Sequence, residues 1–303
     1  GVADLRAGLR GWDMCMVGDA IYGLPWLLRT QVLFYNKTLL AQVGLDSTRA
    51  PETWNELRLA AARIQHLRGG VRGYGLAVGG PGASLGWFMP YAWGNGGEIL
   101  SAGLDSSRFD SPANVQALEF LASLRAVGLA ASDDSLQREF LKGRLGFVLA
   151  GSELQARIIR EAAALRSGVA LVPRPATDRG THGSLAGGEV LVSFTASRRK
   201  EDALKLARYL VRPENALALA TMLESVQPAN LGADTTARYR ARPDQELMFR
   251  QYETARFLPN FRMRMAMEDT LQILLQDALR GSRSAAEAVA LADTFITKHV
   301  GPR

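Results

Sequence analysis

The chain has 303 residues, 47% of them apolar and 22% charged, with a formal net charge of +6. That size suffices for one large core or two lobes of ordinary domain size, and the absence of any run of about 18 apolar residues excludes a membrane-spanning helix. A single cysteine, Cys15, excludes an internal disulfide and a cysteine-cluster metal site.

Cys15 reads as a small core residue. The positive charges, Arg6, Arg10, Arg63 and Arg68 among them, alternate with acids and apolar residues, whereas a phosphate-binding surface would cluster them. No RNA- or DNA-binding pattern accompanies them, so nucleic acid is not expected as a partner. The opening GVADLRAGLRG lacks the basic start, apolar core and small-residue cleavage site of a signal peptide, so a leader is either absent or already removed.

Along the chain, strand-like and helix-like segments alternate with short loops, the pattern of α/β layers. A Gly-Leu-Pro turn at 23–25 precedes VLFYN (32–36), which predicts a short buried strand, and KTLLAQVG (37–44), a helix closed by Gly44. Thr53 and Glu56 have the spacing of a capping box, and Leu57, Ala60, Ala61 and Ile64 share one face of the helix that follows. YGLAVGG (74–80) predicts a strand running into a glycine loop, and SLGWFMPYAWGNGGEIL (84–100) a short aromatic helix and turn. Ser111 caps a helix with Pro112 at its first position. SLQREFLKG is a helix stopped by Gly143; RLGFVLAGS is a strand that delivers Gly151 and Ser152 to the helix ELQARIIREAAAL.

Further on come the strand GVALVPRP, the glycine-rich connection THGSLAGG (181–188) and the strand EVLVSFT (189–195). The run 201–223 is interrupted at Pro213 and divides into two helices. Helices are also predicted over 244–257, 267–281 and 284–300, the last with Ser284 and Glu287 as a second candidate capping box.

The templates of catalysis mostly fail. His66, His182 and His299 stand isolated without metal-ligand spacing, so no metal is expected. There is no GxGxxG turn and no Walker A sequence, so no cofactor is expected either. The 30 acidic residues leave a glycosidase-type carboxylate pair open without singling one out.

The order of segments resembles the extracellular solute-binding proteins of ABC importers, the sugar-binding family that includes maltose-binding protein. IYGLPWLLRTQVLFYNKTLLAQVGLD followed by PETWNEL, then WGNGGEIL, FLKGRLGFVLAGS, GVALVPRP, SLAGGEVLVSFTASRRKEDALKLARYLVRPENA and FLPNFRMRMAMEDTLQILLQDALRG carry the resemblance across nearly the whole chain. It implies a type II periplasmic-binding-protein fold, two α/β lobes joined by hinge strands. The implied lobes are residues 1–28 with 189–232, and 29–188 with 233–303. Members of the family carry several times as many residues ahead of the Gly-Leu-Pro segment as stand there in this chain, which implies an incomplete N-terminal lobe.

The same resemblance points to residues of a ligand cleft. Sugar sites set aromatic faces against pyranose rings and planar polar groups against hydroxyls. Trp26 stands where the family often has a cleft aromatic, with hinge packing as its alternative role; Trp87 lies near further cleft aromatics, and Trp93 fits either the cleft or the core below. Trp54, inside its capping box, reads as structural. Gly151, Ser152 and Glu153 replace a family aromatic with a carboxylate beside free helix N–H groups. Glu189 and Gln227 fall at lobe crossings, and Glu268 near another stacking position. Arg29 interrupts an apolar run at a crossing, either as a hinge cation paired with a nearby acid or as a donor fork for ligand.

The expected function is a non-catalytic receptor that closes on a carbohydrate or polyol and presents it to the transmembrane subunits of an ABC permease. It would be a monomer, periplasmic or extracellular, or anchored as a lipoprotein through a segment preceding Gly1. The rivals are a sugar-active hydrolase or lyase, with Glu153 paired to Glu189 or Glu268, and a sensor or scaffold of the same fold without transport.

Overall fold

The structure is a computed structural model and describes residues 2–79, 83–223, 226–234, 243–259 and 264–300. Two short strands, β1 (Met16–Val17) and β2 (Ala20–Ile21), pair as a hairpin and lead into β3 (Leu24–Asn36). β3 has 13 residues, against the five of VLFYN that the sequence suggests. Burial on both faces hides the period-2 alternation that would have revealed its first half.

The remaining strands are β4 (Arg72–Ala77), β5 (Gly128–Ala131), β6 (Leu145–Gly151), β7 (Ser167–Ala170), β8 (Ser184–Leu191), β9 (Gln227–Pro228) and β10 (Ala255–Arg256). They form one sheet in the order β10-β8-β3-β6-β4-β5, with β7 and β9 also paired to β3. Early in β3, Leu27 and Leu28 are paired by both β8 and β9, which therefore occupy opposite edges. Later, Leu33, Phe34 and Tyr35 are paired by both β6 and β7. Both edges of β3 thus change partner between Leu28 and Leu33.

β8 begins five residues before the predicted strand and ends at Leu191, absorbing Gly187 and Gly188 of the expected connection. The glycines are what let it lie against β3, because a Cβ on Gly188 would strike the Leu27 carbonyl oxygen. The aromatic segment forms one helix, Ala83–Gly94, with Pro90 inside it. The helix after β6 stops at Glu161, short of Leu165, and the run broken at Pro213 gives Lys200–Leu210 and Pro213–Leu223 as expected.

The helix Trp54–Gln65 starts as its sequence predicts: Thr53 accepts from Glu56 N while the Glu56 carboxylate accepts from Thr53 N. Its face of Leu57, Ala60, Ala61 and Ile64 is buried, each large aliphatic contributing about 1.5–3 kcal/mol. Trp54 stacks on Phe120 at 4.7 Å and donates to the Pro173 carbonyl, a structural role.

The large core draws its buried residues from Val32–Val172 and Met248–Val300. Two small clusters lie on the other side of the crossing: Leu27 with Ala220 and Val226, and Leu9 with Leu24 and Val211. That side is thinly packed, since Lys200–Leu210 buries none of its residues and Phe194 is 80% exposed. No helix among the described residues is long and apolar enough to cross a membrane.

Candidate functional site

Parallel pairing of β4 with β5 and β6 brings three strand ends to one edge of the large layer. There β4 runs into Val78 and Gly79, β5 into Ser132 and Asp133, and β6 into Ser152 and Glu153. The openings beyond such ends are where α/β sheets hold ligands.

Alternation along a strand sends Leu27, Arg29 and Gln31 of β3 to one face. Glu189, opposite Leu27, and Gly151, opposite Gln31, share that face. Arg29 donates from Nε and Nη2 to Glu189 Oε1 at 3.0 and 2.6 Å. Two of the sequence candidates are therefore each other's partners, and the hinge reading of Arg29 gains its acid. The pair is not sealed from water, with the side chains 36% and 38% exposed. Glu189 Oε2 and Gln31 Oε1 are nonetheless buried without a hydrogen-bond partner. Such acceptors cost about 1–3 kcal/mol each when unsatisfied, so they favour a ligand that brings donors.

Gly151 makes room for Glu153, whose carboxylate would collide with any Cβ there. Glu153 therefore overhangs the strand end beside Gln31, and Ser152 beneath it is buried. Gln137 ties Glu153 to Asp133, its amide nitrogen lying 2.9 Å from Asp133 Oδ2 and 3.5 Å from Glu153 Oε1. Arg157 donates to Gln137 Oε1 at 3.0 Å and holds the amide in that orientation. Burial and the neighbouring Glu153 charge push the Asp133 carboxyl up to about 6. The result is a polar stripe across β8, β3, β6 and β5 made of Glu189, Arg29, Gln31, Glu153 and Asp133. It offers many acceptors and one donor fork.

Other candidates fall elsewhere. Trp26 is partly buried and packs against both small clusters, and its Nε1 is buried without a partner. Trp87 is 5% exposed within the large core, so it presents no ring face for stacking. Trp93, also buried, lies at the far end of the same helix with Arg256 5.1 Å above its ring. Arg256 forks onto Glu98 at 2.7 Å twice, and these residues line a cavity of about 630 Å³ with Arg108 and Phe257. Gln227 is buried opposite Leu28 and so belongs to the face away from Arg29. Glu268 is half-buried near the start of the helix Arg264–Arg280, following residues 260–263, which lie outside the described residues.

Gln31 and Asp133 are members of the stripe that sequence reasoning missed. Gln31 carried a usable signal, standing two residues beyond Arg29 in a strand. Asp133 carried none, because its approach to Glu153 depends on the strand order.

The chain is 29% identical over 201 residues to a Brucella abortus protein named as a binding protein, covering 64% of this chain and 47% of the relative. The chain thus spans about half the length of that relative. It is 25% identical over 297 residues to the maltodextrin-binding protein of Bacillus subtilis, covering 94% of this chain and 68% of the relative. The crystal structure of an ABC transporter solute-binding protein from Thermotoga lettingae, bound with alpha-D-tagatose, superposes with a TM-score of 0.87 at 24% identity, covering 97% of this chain and 77% of that one. The fold is therefore the type II periplasmic-binding-protein fold. Residues 3–246 match the family described as bacterial extracellular solute-binding protein, and the chain belongs to that family.

Proposed function

We propose that the chain is the ligand-binding part of a non-catalytic receptor that captures a neutral carbohydrate or polyol and delivers it to the transmembrane subunits of an ABC importer. It works outside the cytoplasmic membrane, as a monomer. The lobes are residues 1–28 with 189–232, and 29–188 with 233–303, and the cleft between them closes by bending near the crossing of β3 and β8.

The observation that carries this reading is the Arg29–Glu189 pair with its unsatisfied neighbours, Glu189 Oε2 and Gln31 Oε1. The arginine charge is already matched, so an anionic ligand gains little from it, whereas hydroxyl groups supply the donors those oxygens lack. Glu153 and Asp133 add further acceptors and disfavour an acidic ligand. The names of the Bacillus and Thermotoga relatives, a maltodextrin receptor and a tagatose complex, support the same ligand class.

The test is calorimetric titration with mono- and disaccharides, polyols and sugar phosphates, followed by mass spectrometry of the recovered ligand. A neutral polyhydroxy compound is expected to bind at least about tenfold more tightly than its phosphate, a gap of 1.4 kcal/mol, and to be recovered intact. Tighter binding of the phosphate would overturn the ligand class, and turnover would overturn the receptor role.

A further inference from the structure

A second cavity, of about 450 Å³, lies between the loop 46–53, β7 and the helix Pro243–Tyr252, lined by Tyr35, Arg49, Pro51, Val169, His182 and Arg250 among others. Tyr35 stands six residues beyond Arg29 on the same strand, which places the cavity about 20 Å from the crossing. It is therefore separate from the stripe on β8, β3 and β6.

Its walls are built rather than incidental. Gln251 is fully buried and clamps both sides of one wall, accepting from Val172 N at 2.7 Å and donating to the His182 carbonyl at 2.7 Å. His182 Nδ1 lies 2.7 Å from the Val172 carbonyl. Since a carbonyl only accepts, Nδ1 carries the proton and Nε2 remains for the cavity. Tyr35 is 5% exposed, yet its phenol makes no hydrogen bond among the described residues. Burial raises the phenol's pKa, with the Asp244 and Asp46 charges adding to it, so the group stays an O–H donor at neutral pH.

The charges at the rim favour an anion. Arg250 is exposed, and its side chain makes no ion pair or hydrogen bond among the described residues. Arg49 reaches Glu52 and Glu56 only at 3.8 and 4.0 Å, contacts too long to consume its donors. Among the described residues Glu52 is the one acid in the lining, with Asp46 and Asp244 near enough to act on Tyr35. Pro51, Val169 and Leu247 provide an apolar floor. The volume lies within the range of small-molecule sites, about 300–1,000 Å³.

We propose that this cavity binds a small organic anion, its phosphate or carboxylate head held by Arg250, Arg49 and the Tyr35 hydroxyl and its apolar part resting on Pro51, Val169 and Leu247. Such a site gives the receptor a second ligand, independent of the solute in the cleft.

The experiment uses the full chain and three probes of similar shape, phenyl phosphate, benzoate and benzyl alcohol, titrated by NMR chemical-shift mapping. One or both anions are expected to bind at least tenfold more tightly than the alcohol, with shifts confined to residues around Tyr35, Val169 and Arg250. The stronger of the two identifies the head group. Arg250→Gln, at an exposed position, should weaken the anion at least tenfold, and Tyr35→Phe, which deletes a single hydroxyl, several-fold. Both variants should keep the parent's affinity for a cleft saccharide, which certifies their fold. Equal binding of alcohol and anions, or unchanged anion binding in both folded variants, would overturn the assignment.

Discussion

Arg29 on β3 spends two donors on a single oxygen of Glu189 on β8, at 3.0 and 2.6 Å, and leaves the other Glu189 oxygen buried and unpartnered. The arrangement both ties two strands and holds an acceptor open for ligand. Glu189→Gln keeps the shape and removes the charge. It is expected to lower saccharide affinity at least about tenfold, while stability changes by less than about 1 kcal/mol because the pair is partly exposed. Calorimetry beside urea melts reads both; undiminished affinity would place the ligand away from this pair.

Gly187 and Gly188 are neighbours with opposite tolerances. A Cβ on Gly187 meets nothing within 4 Å, whereas Gly188 has φ 154° and a Cβ there would strike the Leu27 carbonyl oxygen and approach Leu28 Cα to 3.1 Å. Gly188→Ala should cost about 2 kcal/mol or more from strain and overpacking, and Gly187→Ala under about 1 kcal/mol. Urea denaturation of the two variants gives the comparison, and equal midpoints would contradict it.

Asp133 makes stability depend on pH in a predictable direction. Its folded pKa is raised to about 6 by burial and by Glu153, so between its unfolded value, about 3.9, and 6 the folded state holds more protons. Stability from this group is fully present below the unfolded pKa and is lost as pH rises through the folded one. Asp133→Asn should therefore gain about 1–2 kcal/mol relative to the parent at pH 7, after allowance for solvent contact, and little at pH 4. Denaturation curves at the two pH values decide the matter; a gain of equal size at both would rule out this origin.

Cys15 is 3% exposed and its thiol is pushed up to about 11 by burial. Ellman's reagent at pH 8 should react with the folded chain slower than with the urea-unfolded chain by on the order of 100-fold or more. Comparable rates would mean that the segment around β1 opens readily.

The parts legible in the sequence were those written locally. The capping box of Thr53 and Glu56 is present as spaced, and Ser111 with Pro112 opens the helix Pro112–Ser123. The box suggested by Ser284 and Glu287 closes on one side: Ser284 accepts from Glu287 N, while the Glu287 carboxylate turns to Arg283 at 2.6 Å. What sequence left hidden depends on pairing between distant segments. Arg29 and Glu189 could each be singled out, but 160 residues separate them, and only the register of β3 against β8 joins them. Trp87 looked like a cleft aromatic because residue type does not tell which face of a uniformly apolar helix turns inward.

β3 is hydrogen-bonded along both edges, by β8 and β9 in its first half and by β6 and β7 in its second. Sliding one layer past the other would break every rung of one set at once, and a slip of one residue would turn the strand's buried side chains outward. The change of partner falls between Thr30, the last residue paired with β8, and Gln31, the first paired with β6. In the closure proposed above, β3 would act as a torsion bar: its pairing on both edges fixes the lengthwise alignment of the two layers, and that register keeps Arg29 within reach of Glu189.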